Sequence, residues 1–184
     1  MRIVLVRHGQ TEWSVSGQHT SRTDIPLTEP GRKAARALRD RLAGRAFALV
    51  LASPRARALE TARLAGFDTE IDPDLVEVDY GDYEGRTTPE IREAHPGWTL
   101  WADGSPGGES LAHAGERVDR VIARAVATNG DVAVFAHGHI LRVLAARWVG
   151  LPAERGASLA LDTAALCELG FEREARVISA WNLV

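Results

Sequence analysis

The chain opens on Arg2-Ile3-Val4-Leu5-Val6-Arg7-His8-Gly9, and this stretch restricts the fold more than any other. Its short apolar run is mostly β-branched, too brief for a lone helix, and lacks the alternation of a half-exposed strand. It therefore predicts a strand buried on both faces, as in a parallel sheet. Arg7 and His8 fall at the carboxyl end of that strand, where ligands bind in open α/β sheets. Gly9 is expected to turn the backbone away and leave room for a ligand. The pattern recurs where Val132-Ala133-Val134-Phe135-Ala136 runs into His137-Gly138-His139. Two buried strands, each delivering a histidine and a glycine, predict two imidazoles in one crevice.

Between them the segments alternate. Trp13 to Leu27 is polar and aperiodic and reads as a long loop over the site, a length at which loops are often functional. Thr28, Pro30 and Gly31 start a helix that places Ala35, Leu38 and Leu42 on one face and ends at Gly44. Phe47 to Ala52 predicts a second apolar strand. Ser53-Pro54 reads as an N-cap serine with proline at the first helical position, opening a helix to about Gly66. Asp68 to Val78 is strand-like in parts, Tyr80 to Gly85 is a tight loop, and Thr88 to Ala94 is a helix. His95 to Gly108 is irregular. Ser110 to Thr128 carries the stripe Ala114, Val118, Val121, Ile122 and Ala125 of an amphipathic helix, and Ile140 to Val149 follows the central strand as another. Ser158 to Leu161, Ala165 to Phe171 and Val177 to Trp181 read as short strands completing the sheet. The order implies an α/β fold: a three-layer αβα sandwich with a mainly parallel sheet of about six strands and helices on both faces.

A chain of 184 residues suffices for one core, so residues 1–184 are read as one domain. A net charge of −3 gives no support to nucleic-acid binding, so any positive pocket must be local. The single Cys167 excludes an intramolecular disulfide and lies in an apolar stretch, which reads as a small buried residue in a reducing compartment. The opening apolar run is far shorter than a signal-peptide core and no later stretch approaches a membrane span, so a cytoplasmic location without membrane attachment is expected. Oligomeric state is open, with a homodimer among the options.

Three elements could carry chemistry. Arg7-His8-Gly9 places a cation and an imidazole at a strand end. Ser53 to Ala62 carries Arg55 and Arg57 in the first turns of a helix, whose amino end itself attracts anions. Guanidinium groups grip tetrahedral anions through paired hydrogen bonds, so phosphate is a natural ligand. Arg55 reads equally as a solvated cation. The third element, Leu75 to Gly85, is rich in carboxylates. Transfer of a phosphoryl group from an alcohol ester needs a proton donor for the leaving oxygen, and a carboxyl group serves if partial burial raises its proton affinity. Glu77, between Val76 and Val78, suits that role better than Glu84, which is expected to cap or lead into the next helix; Asp79 and Asp82 read as solvated turn residues.

Taken together, Arg7-His8-Gly9, the Ser53 to Ala62 and Leu75 to Gly85 strings, Gly107-Gly108-Glu109-Ser110 and Ala136-His137-Gly138 resemble the histidine phosphatase superfamily, which also contains cofactor-dependent phosphoglycerate mutases. The match covers nearly the whole chain. The resemblance implies that His8 is the nucleophile that becomes phosphorylated, that Arg7, Arg57 and His137 hold the phosphoryl oxygens, and that Glu77 is general acid and base. Ser14, Thr20, Arg22, Gly138 and His139 are further candidates for phosphate or substrate binding. Trp13 to Thr20 and His137-Gly138-His139 resemble a branch containing bacterial acid phosphatases and fungal sedoheptulose-bisphosphatases. Ser14 stands where many relatives have asparagine and Gln10 where many have glutamate, so no substrate is carried over from the mutases.

The roles agree with elementary electrostatics. His8 must attack as neutral imidazole, and adjacent guanidinium groups disfavour its protonation while stabilising charge on the transferring group. Attack by a protein nucleophile splits hydrolysis into two in-line steps. No cofactor is expected. His137 and His139 are a close pair, but zinc needs three or four ligands, Cys167 has no partner, and the arginines repel a cation, so no metal is expected either. For His19, Arg22, Trp98 and Trp101 a lid over the substrate competes with ordinary loop packing, and His95 and His113 read as surface residues. The leading expectation is a phosphomonoesterase acting on small phosphorylated metabolites such as sugar phosphates or phosphoglycerate-type esters. The alternatives are a mutase-type phosphoryl transfer, disfavoured by the short chain, and a non-catalytic module that binds phosphorylated ligands, disfavoured by the presence of both His8 and Glu77.

Overall fold

In the computed structural model, which describes residues 1–184, the opening run forms β1 (Ile3–Arg7). It pairs in parallel with β4 (Asp131–Ala136), Ile3 opposite Val132 and Arg7 opposite Ala136. β2 (Phe47–Ala52) lies parallel beside β4, and the short β3 (Glu70–Ile71) beside β2. On the other flank of β1, β5 (Leu166–Glu172) runs antiparallel and returns as β6 (Ala175–Leu183), giving the order β3-β2-β4-β1-β5-β6. Only β5 opposes the common direction, because two residues, Arg173 and Glu174, can join neighbouring strands only as a hairpin.

Seven helices complete the chain: α1 (Glu12–Ser16), α2 (Glu29–Arg41), α3 (Ala56–Leu64), α4 (Thr88–Ala94), α5 (Leu100–Asp103), α6 (Leu111–Ala127) and α7 (Gly138–Trp148). Side chains alternate across a strand, and both faces of β1 are buried. Ile3 and Leu5 join the larger apolar cluster with Val118, Val121 and Ile122 of α6 and Leu141 and Trp148 of α7. Val4 and Val6 join the smaller cluster with Leu38 of α2 and Ala62 of α3. Helices therefore cover both faces of a mostly parallel sheet, the three-layer arrangement the strand-helix alternation predicts. The stripe read on α6 is buried as expected.

Four local expectations are corrected. The segment from Trp13 to Leu27 is not wholly loop. Thr11 and Ser14 cap each other's backbone N–H at 3.1 and 2.9 Å and start α1. α3 begins at Ala56 rather than after Ser53, and its free amide is met by the Asp24 carboxylate at 3.0 Å, while the Ser53 amide still extends the sheet to the Phe135 carbonyl. Glu84 does not cap α4; Thr87 and Glu90 do so reciprocally, and Glu84 instead accepts from Ser21 and Thr23. Residues 158–161 form no strand. A 3-10 turn, Ala153–Ser158, runs into them, and the Ala160 carbonyl accepts from the side-chain indole of Trp181 in β6, not from a strand backbone N–H.

Gly9 also has a different task from the one expected of it. A Cβ there would lie 2.6 Å from the Gly31 carbonyl, and a Cβ at Gly31 would lie 2.2 Å from that of Gln10. The two glycines let the start of α2 pack directly on the turn after β1, so the space belongs to backbone and not to a ligand.

Candidate active site

The parallel register builds the centre. Because Arg7 lies opposite Ala136, the next residues, His8 and His137, emerge side by side, and the His8 amide donates to the Ala136 carbonyl at 2.9 Å. Their rings pack edge to face with centroids 5.2 Å apart. His8 Nδ1 lies 2.8 Å from the Gly9 carbonyl. A carbonyl can only accept, so Nδ1 carries the proton and Nε2, which makes no hydrogen bond, carries the lone pair. Burial first, then Arg7 and Arg57, hold the His8 pKa well below 6.5, overriding the opposing Gly9 bond.

Around His8 opens a cavity of about 250 Å³, lined by Arg7, Ser14, Thr20, Glu77, Gly138 and His139 among others. Arg7 spans its floor. One Nη donates to the Leu161 carbonyl, while Nε is buried without a protein partner. The guanidinium lies flat on the start of α7, where a Cβ on Gly138 would come within 3.3 Å of it, so the glycine makes room for the cation.

Glu77 closes the other wall. Only 5% exposed, its carboxylate accepts from the amides of Val78 at 2.9 Å, His139 at 3.0 Å and Ile140 at 2.8 Å. The N-cap residue of α7, His137, offers no side-chain cap, so Glu77 takes that place, and its negative charge suits the positive end of the helix. The two oxygens are not equivalent. Oε1 accepts two of the amides and Oε2 one.

Arg57 and His137 stand behind His8 and have no exposed surface. Arg57 Nε donates to His137 Nδ1 at 3.2 Å, so Nε2 of that neutral ring bears hydrogen and donates to Ser53 Oγ at 2.7 Å. Burial first, then Arg57, keeps the His137 pKa well below 6.5. Nη1 of Arg57 donates to the Thr23 carbonyl and lies 3.8 Å from the Asp24 carboxylate, and Nη2 donates to the carbonyls of Thr20 and Ser21. Glu84 grips the same segment from its amide side. Burial opposes its ionisation, but the bonds from Ser21 and Thr23 outweigh burial and lower its pKa.

The remaining candidates divide. Ser14 and Thr20 line the cavity, yet each hydroxyl donates locally, to Thr11 and Gln18 carbonyls. Arg22 lies outside it, exposed and paired with Asp79 at 2.9 Å. Trp98 is buried in the core, whereas Trp101 is half-buried against His139, ring centroids 5.2 Å apart. His19, Thr88 and His139 are shared with an adjoining hollow of about 180 Å³ walled by both tryptophans. A wider hollow of about 650 Å³ near Tyr83 and His95 includes neither His8 nor Glu77 and is open to solvent. Tyr80 and Arg142 also line the central cavity. Neither carries a sequence motif, although Arg142 follows His139 by three residues and so shares its side of the helix. No three His, Cys, Asp or Glu side chains come together as metal ligands would, and no helix is long and apolar enough to cross a membrane.

An arginine, an unprotonated imidazole nitrogen and a carboxylate at a helix amino end thus share one cavity. The model of the histidine phosphatase superfamily (branch 1) matches residues 3–184, and the chain belongs to that superfamily. It is similar to an acid phosphatase of Mycobacterium tuberculosis, 42% identical over 192 residues, which cover 99% of this chain and 92% of that protein. It is also similar to the sedoheptulose 1,7-bisphosphatase of Saccharomyces cerevisiae, 38% identical over 84% of this chain and 69% of that one. The solved structure of the open reading frame Rv3214 product of Mycobacterium tuberculosis superposes with a TM-score of 0.96 at 40% identity, covering 100% of this chain and 97% of the other. Within the superfamily this chain is a phosphatase.

Proposed function

We propose that the enzyme hydrolyses phosphate monoesters of small metabolites, sugar phosphates or phosphoglycerate-type esters, through a phosphohistidine on His8. The observation that carries this reading is the state of the His8 ring: Nδ1–H held by Gly9, Nε2 unprotonated and free, Arg7 and Glu77 on either side. In the first step Nε2 bonds to phosphorus while the ester P–O bond breaks, and Glu77, which takes up a proton on Oε2, the oxygen with a single amide donor, before the step, gives that proton to the departing alkoxide. In the second, Glu77 takes a proton from water, the hydroxide displaces Nε2, and inorganic phosphate leaves. Positive charge gathering on the ring during transfer is met at Nδ1–H by the Gly9 carbonyl. Arg7 offers its unpartnered Nε and free Nη hydrogens to the phosphoryl oxygens, and Arg57 contributes positive charge from behind. Preorganised groups of this kind are commonly worth about 3–4 kcal/mol each.

The cavity volume of about 250 Å³ favours small leaving groups over a folded protein's side chain. A phosphate-release panel of sugar phosphates, sugar bisphosphates, 3-phosphoglycerate and phosphoamino acids tests the substrate class. Acid-quench trapping is expected to reveal a base-stable, acid-labile phosphoenzyme that His8→Ala cannot form. Isomerised product without phosphate release would replace this reading by a mutase. Binding without turnover across the panel would replace it by a phospho-ligand module.

A further inference from the structure

Part of the cavity wall is formed by the side chains of a tyrosine and a histidine that the chemistry above does not use. Tyr80 is 2% exposed, and its hydroxyl lies 2.6 Å from His139 Nδ1. The His139 backbone is fixed independently, its amide donating to Glu77 at 3.0 Å. The ring is enclosed by Tyr80, His19 and Trp101, with centroids at 5.7, 6.4 and 5.2 Å. Its side chain keeps about a fifth of its surface, 22%, and Nε2 has no protein partner.

The proton in the Tyr80–His139 bond can be assigned. Burial raises the phenol pKa well above 10, so Tyr80 keeps its hydrogen, and burial first, then Arg142 and His19, holds His139 neutral. The hydroxyl has no other partner in the protein, and a buried O–H that failed to donate would lose a whole hydrogen bond. Tyr80 therefore donates to Nδ1, and the single ring hydrogen of His139 resides on Nε2.

We infer that Tyr80 is a positioning residue that fixes His139 as an Nε2–H donor to an oxygen carried by the leaving group, so that the enzyme selects phosphate esters of oxygen-bearing alcohols over those of plain alkyl alcohols. The inference rests on the phosphomonoesterase reading. It adds to that reading a physical basis for choosing among leaving groups: a neutral donor reads hydroxyl, carbonyl or carboxylate oxygens near the ester without demanding a charge. The adjoining hollow, which shares His139, His19 and Thr88, gives the rest of a polyol somewhere to lie.

Glycerol 1-phosphate and propyl phosphate differ only in hydroxyl groups, so the ratio of their kcat/KM values reads this contact directly. The wild type is expected to favour glycerol phosphate, and Tyr80→Phe, which removes one oxygen and leaves the ring, is expected to cut that preference about tenfold, the usual worth of one well-placed hydrogen bond. In a His139→Ala background the same Tyr80→Phe change is expected to leave the ratio where His139→Ala set it. Nitrogen NMR of the His139 ring, read without any substrate, is expected to show hydrogen on Nε2 in the wild type and a shift of tautomer population in Tyr80→Phe. An equal loss for both esters, an unchanged ratio, or hydrogen on Nδ1 in the wild type would each overturn the inference. Failure of the wild type to hydrolyse either ester would instead overturn the phosphomonoesterase reading, and the NMR result would still decide the tautomer.

Discussion

Replacing Glu77 by glutamine separates the two duties of this side chain. As carboxylate it accepts three backbone N–H groups, two on Oε1 and one on Oε2. Glutamine keeps one acceptor and gains an NH2 group. With its oxygen in the Oε1 position it retains Val78 and Ile140, but it then turns donor hydrogens against the His139 amide. One charge-assisted bond is lost and a buried donor is left unpaired, which costs about 1–3 kcal/mol. For a chain of 184 residues this lowers Tm by about 2–12 °C, using roughly 2–4 °C per kcal/mol for domains of this size. The chemical loss is larger: alkyl ester turnover is expected to fall about 10²–10⁴-fold, the range of one general acid–base group. The diagnostic assay uses 4-nitrophenyl phosphate, whose leaving group departs without a proton. Glu77→Gln should then release one equivalent of nitrophenol per enzyme in a burst and stall as phosphoenzyme, because no base remains to activate water. Sustained steady turnover by the variant, or an alkyl ester rate within threefold of wild type, would refute the assignment.

Two further outcomes follow from packing and charge. His8, His137 and His139 are all held well below 6.5, by burial first and by neighbouring cations next. The unfolded chain therefore binds more protons than the native one below pH 6.5, so stability falls as pH drops from about 6.5 toward the native values, by up to about 1.4 kcal/mol per pH unit for each histidine; urea midpoints at pH 7 and pH 5.5 should differ accordingly, and equal midpoints would contradict the burial of these rings. Gly31→Ala places a methyl 2.2 Å from the Gln10 carbonyl, backbone against backbone, and is expected to lower Tm by more than Gly17→Ala, where open space surrounds the site but φ is +81°; thermal melts of the pair decide it.

The opening strand, its partner and the histidines at their tips were legible because a short, wholly apolar run admits few alternatives, and because parallel pairing puts equivalent positions side by side. Helix α6 was legible from its stripe. What escaped depends on contacts between distant segments. Ser53 looked like a helix cap, but its hydroxyl meets His137, 84 residues away, and Asp24 caps α3 from a different loop. The residues around the Thr11–Ser14 cap of α1 lack an apolar face, so the sequence carries no helical signal there. Tyr80 offered no local signal, since a tyrosine before a glycine reads as turn packing; only the fold brings its hydroxyl to His139. Arg57 and His137 were read as groups on the pocket, whereas they lie one layer deeper, bonded to each other and to backbone carbonyls.

That deeper layer bears on how the enzyme could be redesigned. Arg57 holds the carbonyls of residues 20, 21 and 23 while Glu84 holds amides of the same stretch, so the segment is stapled on both sides to the cation beside the nucleophile. Libraries seeking new substrate preferences should leave residues 20–24 intact and vary Ser16 at the exposed end of α1, whose hydroxyl bonds only to the nearby Trp13 carbonyl and Gln18 side chain. Insertions placed a few residues further along would tug on the guanidinium and blunt every substrate alike.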